Sequence, residues 1–172
     1  KRMKKMCTYL GRDFIEYEVA EHEVHDINKI EELIDSNKLT HVFTVYCETT
    51  SGILNPIEDI AKLVEGKNLS LFIDAMSAFG ALPLSSKTIT FDAVAASSNK
   101  CLEGVPGVGF ILVKNEVIQI KLEQMNVEKN TVDLLFEIFE NCQLARYTPL
   151  NIDAMSDDYN KTKQFIEQLE KY

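Results

Sequence analysis

The sequence predicts an α/β fold with a mainly parallel sheet flanked by helices. Three observations carry that prediction. Helix-like and strand-like segments alternate through the middle of the chain. The strand-like segments (residues 41–47, 69–73, 93–96 and 109–113) are short apolar runs without alternation, as strands covered on both faces are. Three of the runs stop abruptly at polar clusters: Glu48-Thr49-Thr50-Ser51, Asp74-Ala75-Met76-Ser77 and Ser97-Ser98-Asn99-Lys100.

Taken in order, residues 2–10 read as an amphipathic helix stopped by Gly11. Residues 14–19 (FIEYEV) alternate apolar and polar side chains, which predicts a strand. Asp26 is placed to cap a helix through residues 27–37, with Ile27, Ile30, Leu33 and Ile34 on one face. The run at 41–47 reads as a buried strand. Asn55-Pro56 then opens a helix, with Pro56 at its first position and Ile57, Ile60, Ala61 and Val64 facing inward. A short strand ends at Asp74, and the next ends just before Lys100. After that lysine, Gly104, Gly107 and Gly109 permit a tight backbone path into the last strand. Residues 157–172 read as a helix whose buried stripe includes Ile166 and Leu169.

Composition narrows the function. A chain of 172 residues, 45% hydrophobic and 26% charged, is long enough for one domain with a real core. Its formal net charge of −9 argues against nucleic acid or an anionic membrane surface as a partner, while leaving room for a small anionic ligand. No apolar run approaches the roughly 18 residues of a membrane span. The basic N-terminal residues lead into no apolar signal-like stretch. Cys7, Cys47, Cys101 and Cys142 are widely spaced and form no CxxC pair, which fits a reduced cytoplasmic protein better than a disulfide framework or zinc site. Cys47 and Cys101 read as small buried fillers. His22 and His25 read as solvated surface residues, and no metal is expected.

In an open parallel sheet the carboxyl ends of the strands line one edge, where ligands bind. The three polar clusters would bring a carboxylate, an amine and several hydroxyls to such an edge. A structural Asp–Lys ion pair is the alternative reading of the same residues. No Ser-His-Asp or Cys-His order points to a hydrolase.

The segments CETTSGILNP from Cys47, DAMSAFG from Asp74 and SSNKCLEGVPGVGF from Ser97 resemble the class V aminotransferases of pyridoxal-phosphate (PLP) fold type I. The order agrees, and so does the spacing: 25 residues from Thr49 to Asp74 and 26 from Asp74 to Lys100. The resemblance covers residues 1–149 as part of a PLP-binding large domain, with 150–172 as a C-terminal helical segment. It implies that Lys100 carries the cofactor and that Asp74 keeps its ring nitrogen protonated. It places the Thr49 hydroxyl near the ring oxygen and Met76 on the ring face. Asn99 would serve the phosphate or position the lysine loop. Tyr147 and Thr148, in the Arg-Tyr-Thr-Pro segment from Arg146, would approach the cofactor phosphate of a neighbouring subunit, which implies a homodimer. A simple loop leading into a helix, capped by Thr148 or Asn151, is the alternative there.

The resemblance implies amino transfer between a small amine and a 2-oxo acid. Within the family it points to 2-aminoethylphosphonate and pyruvate, giving phosphonoacetaldehyde and alanine. An alanine–glyoxylate type pair is the alternative, and a truncated, non-catalytic dimerisation module is a third reading. Matching begins after the family's phosphate-cradling turn and ends before its substrate-carboxylate arginine, so a piece of a longer enzyme is expected. Tyr46 stands where the family commonly has histidine, and the pattern is lost after Pro149.

Overall fold

The computed structural model describes residues 2–145 and 152–171. They divide into one compact unit ending at Val113 and a second beginning at Lys114.

The first unit opens with α1 (Arg2–Tyr9) and α2 (Ile27–Asp35). Asp26 caps α2 as the sequence predicts, its side chain accepting the Asn28 N–H at 2.9 Å. A sheet follows, built from β1 (His41–Val45), β2 (Ser70–Asp74), β3 (Ala93–Ser97) and β4 (Gly109–Val113), with α3 (Ile57–Gly66) between β1 and β2. The strand order is β1-β2-β3-β4; the first three run parallel and β4 is antiparallel to β3. Pro56 precedes α3 instead of occupying its first turn. All four residues expected on the inner face of α3 (Ile57, Ile60, Ala61 and Val64) are at most 3% exposed. They pack with Leu71, Ile73 and Val94 into the main core, against which Ile27 and Ile30 of α2 also lie. Burial of this apolar surface is the main force holding helix to sheet.

Two expectations fail here. Residues 14–19 form no strand, because no neighbouring ladder pairs with them. Within this unit the sheet is covered by helix on one face. On the other, Phe43 and Ile111 are 53% and 65% exposed. The apolar run at 41–47 is therefore not a buried strand throughout; only Thr44 of β1 is buried.

The second unit comprises α4 (Asn115–Gln124), α5 (Lys129–Ala145) and α6 (Ile152–Leu169). Contacts between Thr131 and Gln168, Glu137 and Lys161, and Asn141 and Asp158 set α5 and α6 antiparallel. Leu122, Val127 and Val132 form the core, with Leu169 packed on it. Helix α6 begins earlier than the expected helix at 157. Ile166, expected in the buried stripe, is 51% exposed, so that stripe runs through Leu169 without it. Among the described residues no helix is long and apolar enough to cross a membrane.

Candidate active site

Parallel pairing aligns the ends of β1, β2 and β3. Val45 pairs with Asp74, and Asp74 with Ala95, so the loops after all three strands leave the same edge. The ladder continues one step beyond the strands. The Tyr46 N–H donates to the Asp74 carbonyl and the Ala75 N–H to the Ala95 carbonyl, both at 2.9 Å.

Thr49 lies exposed in a closed turn after β1. Cys47 bridges Leu54, the Glu48 N–H donates to the Ile53 carbonyl at 2.9 Å, and the Gly52 N–H donates to the Glu48 carbonyl at 2.8 Å. Asp74 ends β2 and is half-buried. Its Oδ1 accepts the Met76 N–H at 3.0 Å, which orients the carboxylate and leaves its second oxygen toward other partners. Met76 is itself half-buried in the turn that follows. Asn99 and Lys100 lie exposed in the turn after β3. Lys100 makes no ion pair among the described residues. The structural Asp–Lys pair offered as an alternative is thus not formed.

The lysine loop is built around Ser98. Its hydroxyl lies 2.5 Å from the Val105 carbonyl and 3.2 Å from that of Val108. The Gly104 N–H donates to the Ser98 carbonyl at 2.7 Å. A Cβ at position 104 would sit 3.1 Å from that carbonyl oxygen, tighter than ordinary contact, so glycine permits the close approach.

Sequence reasoning missed Ser77. Its hydroxyl donates to the Cys47 carbonyl at 2.5 Å, and its own carbonyl accepts the Cys101 thiol at 3.4 Å. One residue thereby fastens the Thr49 loop, the Asp74 turn and the lysine loop together. Cys101 is exposed, so it is a loop tie and not a buried filler; Cys47 is half-buried. His25 also departs from expectation. It is half-buried and packs its ring 5.4 Å from that of Tyr17, so it is not a solvated surface histidine. Burial lowers its pKa below the ordinary 6.5, against the opposing pulls of Glu48 and Asn55. No signal in the local sequence marks the Ser77 ties, since they depend on loops distant in the chain. Tyr147 and Thr148 lie outside the described residues. Among the described residues no cluster of His, Cys, Asp and Glu is gathered for a metal.

The donor set suits the ring half of PLP. Among the described residues one Asp74 carboxylate oxygen takes no partner, which matches a cationic ring nitrogen, and the Lys100 amine takes none, which matches an aldehyde. The Ser97 hydroxyl, at the same strand edge, is buried and has no hydrogen-bond partner among the described residues, a polar atom that a ligand would satisfy.

Comparison with known proteins shows the family. The family model described as "Aminotransferase class-V" matches residues 2–135. The 2-aminoethylphosphonate–pyruvate transaminase of Pseudomonas fluorescens (strain Pf0-1) is 47% identical over 117 residues, 67% of this chain and 32% of that protein. The enzyme of the same name from Cupriavidus necator is 39% identical over 152 residues, 87% of this chain and 40% of the relative. The chain therefore spans about a third to two fifths of the length of these relatives. Among solved structures, pyridoxamine–pyruvate aminotransferase from Mesorhizobium loti is 30% identical with a TM-score of 0.55, covering 58% of this chain and 26% of that one. Ureidoglycine–glyoxylate aminotransferase from Bacillus subtilis covers 98% of this chain and 43% of its own, with a TM-score of 0.69 at 19% identity, a likeness of fold. By sequence match, with a fold that agrees, the chain belongs to the class V aminotransferases.

Proposed function

We propose that this chain supplies the ring-binding and lysine half of a PLP-dependent transaminase, and that the amine substrate is 2-aminoethylphosphonate and the acceptor pyruvate. The observation that carries the reading is the alignment of β2 and β3, which sets Asp74 and the Lys100 turn at one strand edge. The relatives named for this reaction support the substrate pair. PLP, when bound, supplies an electron sink for the bond broken at the substrate's amine-bearing carbon.

The residues divide the work. Asp74 holds a proton at the ring nitrogen, and the Met76 N–H fixes the carboxylate that does so. Lys100 would hold the cofactor and, as a free amine, would move a proton at the substrate's amine-bearing carbon. Thr49 would offer its hydroxyl to the ring oxygen, and Met76 would pack on the ring face. Asn99 serves the phosphate or steadies the lysine turn. Tyr147 and Thr148 would serve the phosphate of a partner subunit, and the active form would then be a homodimer.

The test is an absorbance titration of the chain with PLP beside Lys100→Ala. A visible band that is present in the parent and missing in the variant is the expected result. Adding 2-aminoethylphosphonate should bleach that band, and pyruvate should restore it. Bleaching by alanine with restoration by glyoxylate, and no response to the phosphonate, would reassign the substrates. No band in the parent would remove the cofactor from this chain.

A further inference from the structure

The lysine loop, residues 98–108, hangs between two stems, β3 and β4. The first stem is secured by ladders on both sides, to β2 and to β4. The second is an edge strand, whose ladder neighbour among the described residues is β3 alone. Gly109, Ile111 and Leu112 of β4 are exposed, so burial holds that strand weakly. Phe110 is the exception. It is half-buried, pairs with Ala96 in the ladder, and comes two residues after the loop closes. Its ring meets that of Phe79 edge to face, with centroids 5.4 Å apart and planes at 82°. Such a pair is worth about two- to tenfold in an equilibrium constant beyond the area it buries.

Phe79 is fixed from the other side. It belongs to the turn after Asp74, which is folded on itself. The Ala78 and Phe79 N–H groups donate to the Ala75 carbonyl at 3.0 and 2.8 Å, and the Leu82 N–H to the Ala78 carbonyl at 3.0 Å. Ala75 and Ala78 are 0% exposed, and Phe79 packs on the main core. The turn opens at Asp74, whose carboxylate the Met76 N–H orients. Two lesser contacts also reach from this turn to the lysine loop. The Cys101 thiol, a weak donor, points at the Ser77 carbonyl, and Leu102 lies over Gly80 while 44% exposed.

We propose that Phe79 is a positioning residue for Lys100. Through Phe110 it fixes the second stem of the lysine loop, and the turn that carries it acts as a rigid spacer between the Asp74 carboxylate and the Lys100 amine. PLP carries its ring nitrogen and its aldehyde on opposite sides of one planar ring, so the two protein groups must keep a set separation. A loosened stem lets the Lys100 turn drift against Asp74, and one contact is then made at the other's expense. That consequence rests on the reading that Asp74 and Lys100 hold PLP; the seating of the loop does not.

Amide hydrogen exchange of the chain without cofactor tests the seating, and PLP affinity from the visible band tests its consequence. The Ser98, Glu103 and Gly104 amides close the lysine loop, donating to the Val108, Lys100 and Ser98 carbonyls. In Phe79→Leu and in Phe110→Leu they should exchange about fivefold faster, while the Ile73 and Val94 amides keep their protection. The double variant should do no more than either single one, as for two partners in one contact. Phe110→Tyr, which keeps the ring, should restore parent-like exchange. Ile89→Val trims the same core without altering the pair and should leave the loop unchanged. PLP affinity should fall about fivefold in both leucine variants, following the pair energy, and hold in Phe110→Tyr and Ile89→Val. Loop exchange unchanged in Phe110→Leu, or quickened equally by Ile89→Val, would overturn the seating. Faster loop exchange with parent-like PLP affinity would overturn the positioning role. Should Phe79→Leu unsettle the core as well, Phe110→Leu, on the edge strand, decides. A parent lacking the visible band would sink the transaminase reading, and exchange would still decide the seating.

Discussion

The Ser77 hydroxyl donates to the Cys47 carbonyl at 2.5 Å, so the turn after β2 is fastened to the loop after β1. The Ser77 carbonyl accepts the Cys101 thiol, and the lysine loop is drawn to the same point. Three loops that arise from separate strands thereby share one tie. Ser77→Ala removes the donor and leaves the Cys47 carbonyl without it, a loss of about 1 kcal/mol. Urea unfolding should show that loss, and Ser77→Thr, which keeps a hydroxyl, should recover most of it. PLP titration should show a larger effect than stability alone predicts, because Thr49 and Lys100 would no longer be held together. Equal PLP affinity in Ser77→Ala and parent would deny the tie any part in the site.

Asp74 offers a substitution that separates charge from structure. In Asp74→Asn the side-chain oxygen still accepts the Met76 N–H, so the turn should fold as before and the urea midpoint should scarcely move. The negative charge is gone, however, and with it the group that would keep the ring nitrogen protonated. Bleaching of the visible band by 2-aminoethylphosphonate should slow by about a hundredfold or more, the scale of one lost electrostatic contact at a reacting centre. Parent-like bleaching with the amide in place would remove Asp74 from the chemistry.

Gly80 closes the turn that begins at Asp74, at a φ of +93°. A Cβ there would lie 2.7 Å from Leu102 Cδ2, at the far side of the lysine loop. Two costs are mixed in Gly80→Ala, and they separate cleanly. Leu102 is 44% exposed and free to swing away, whereas the backbone angle remains unfavourable for any L side chain. Gly80→Ala should cost about 1–3 kcal/mol, and adding Leu102→Ala should recover little of it. Full recovery in the double variant would show that contact, not conformation, sets the requirement for glycine.

The fold and the site were legible to different depths. The apolar runs that stop at polar residues placed β2 and β3 within a residue or two, since a buried strand must end where a carboxylate or a solvated turn begins. The inner face of α3 was readable because Ile57, Ile60, Ala61 and Val64 repeat at helical spacing. Strand direction was not: five apolar residues at Gly109–Val113 look the same whichever way they run, and only pairing with β3 reveals the antiparallel sense. Residues 14–19 alternate as a strand does, but alternation yields a strand only where a ladder partner exists. The resemblance proposed Thr49, Asp74, Met76, Asn99 and Lys100 as site residues, and the structure sets all five at or just after the ends of β1, β2 and β3. The ties of Ser77 and Cys101 were not legible, because they are defined by what distant loops bring to them.

Tyr46 links the Thr49 turn to alkaline stability. Its hydroxyl donates to the Pro83 carbonyl at 2.9 Å, and its backbone N–H extends the β1–β2 ladder. Burial pushes the phenol above its ordinary 10.0, with smaller contributions from the Glu58 and Cys47 charges. A phenol that keeps its proton longer in the folded chain than in the unfolded one contributes stability that is complete below 10.0 and is lost as pH rises through the folded value. Denaturation followed at increasing pH should therefore show a fall in stability above 10.0 that Tyr46→Phe lessens. At neutral pH the same variant should lose about 0.5–1 kcal/mol, because the exposed Pro83 carbonyl can turn to water instead. A parent and a Tyr46→Phe variant with identical alkaline slopes would place the loss on other groups and leave Tyr46 a packing residue alone.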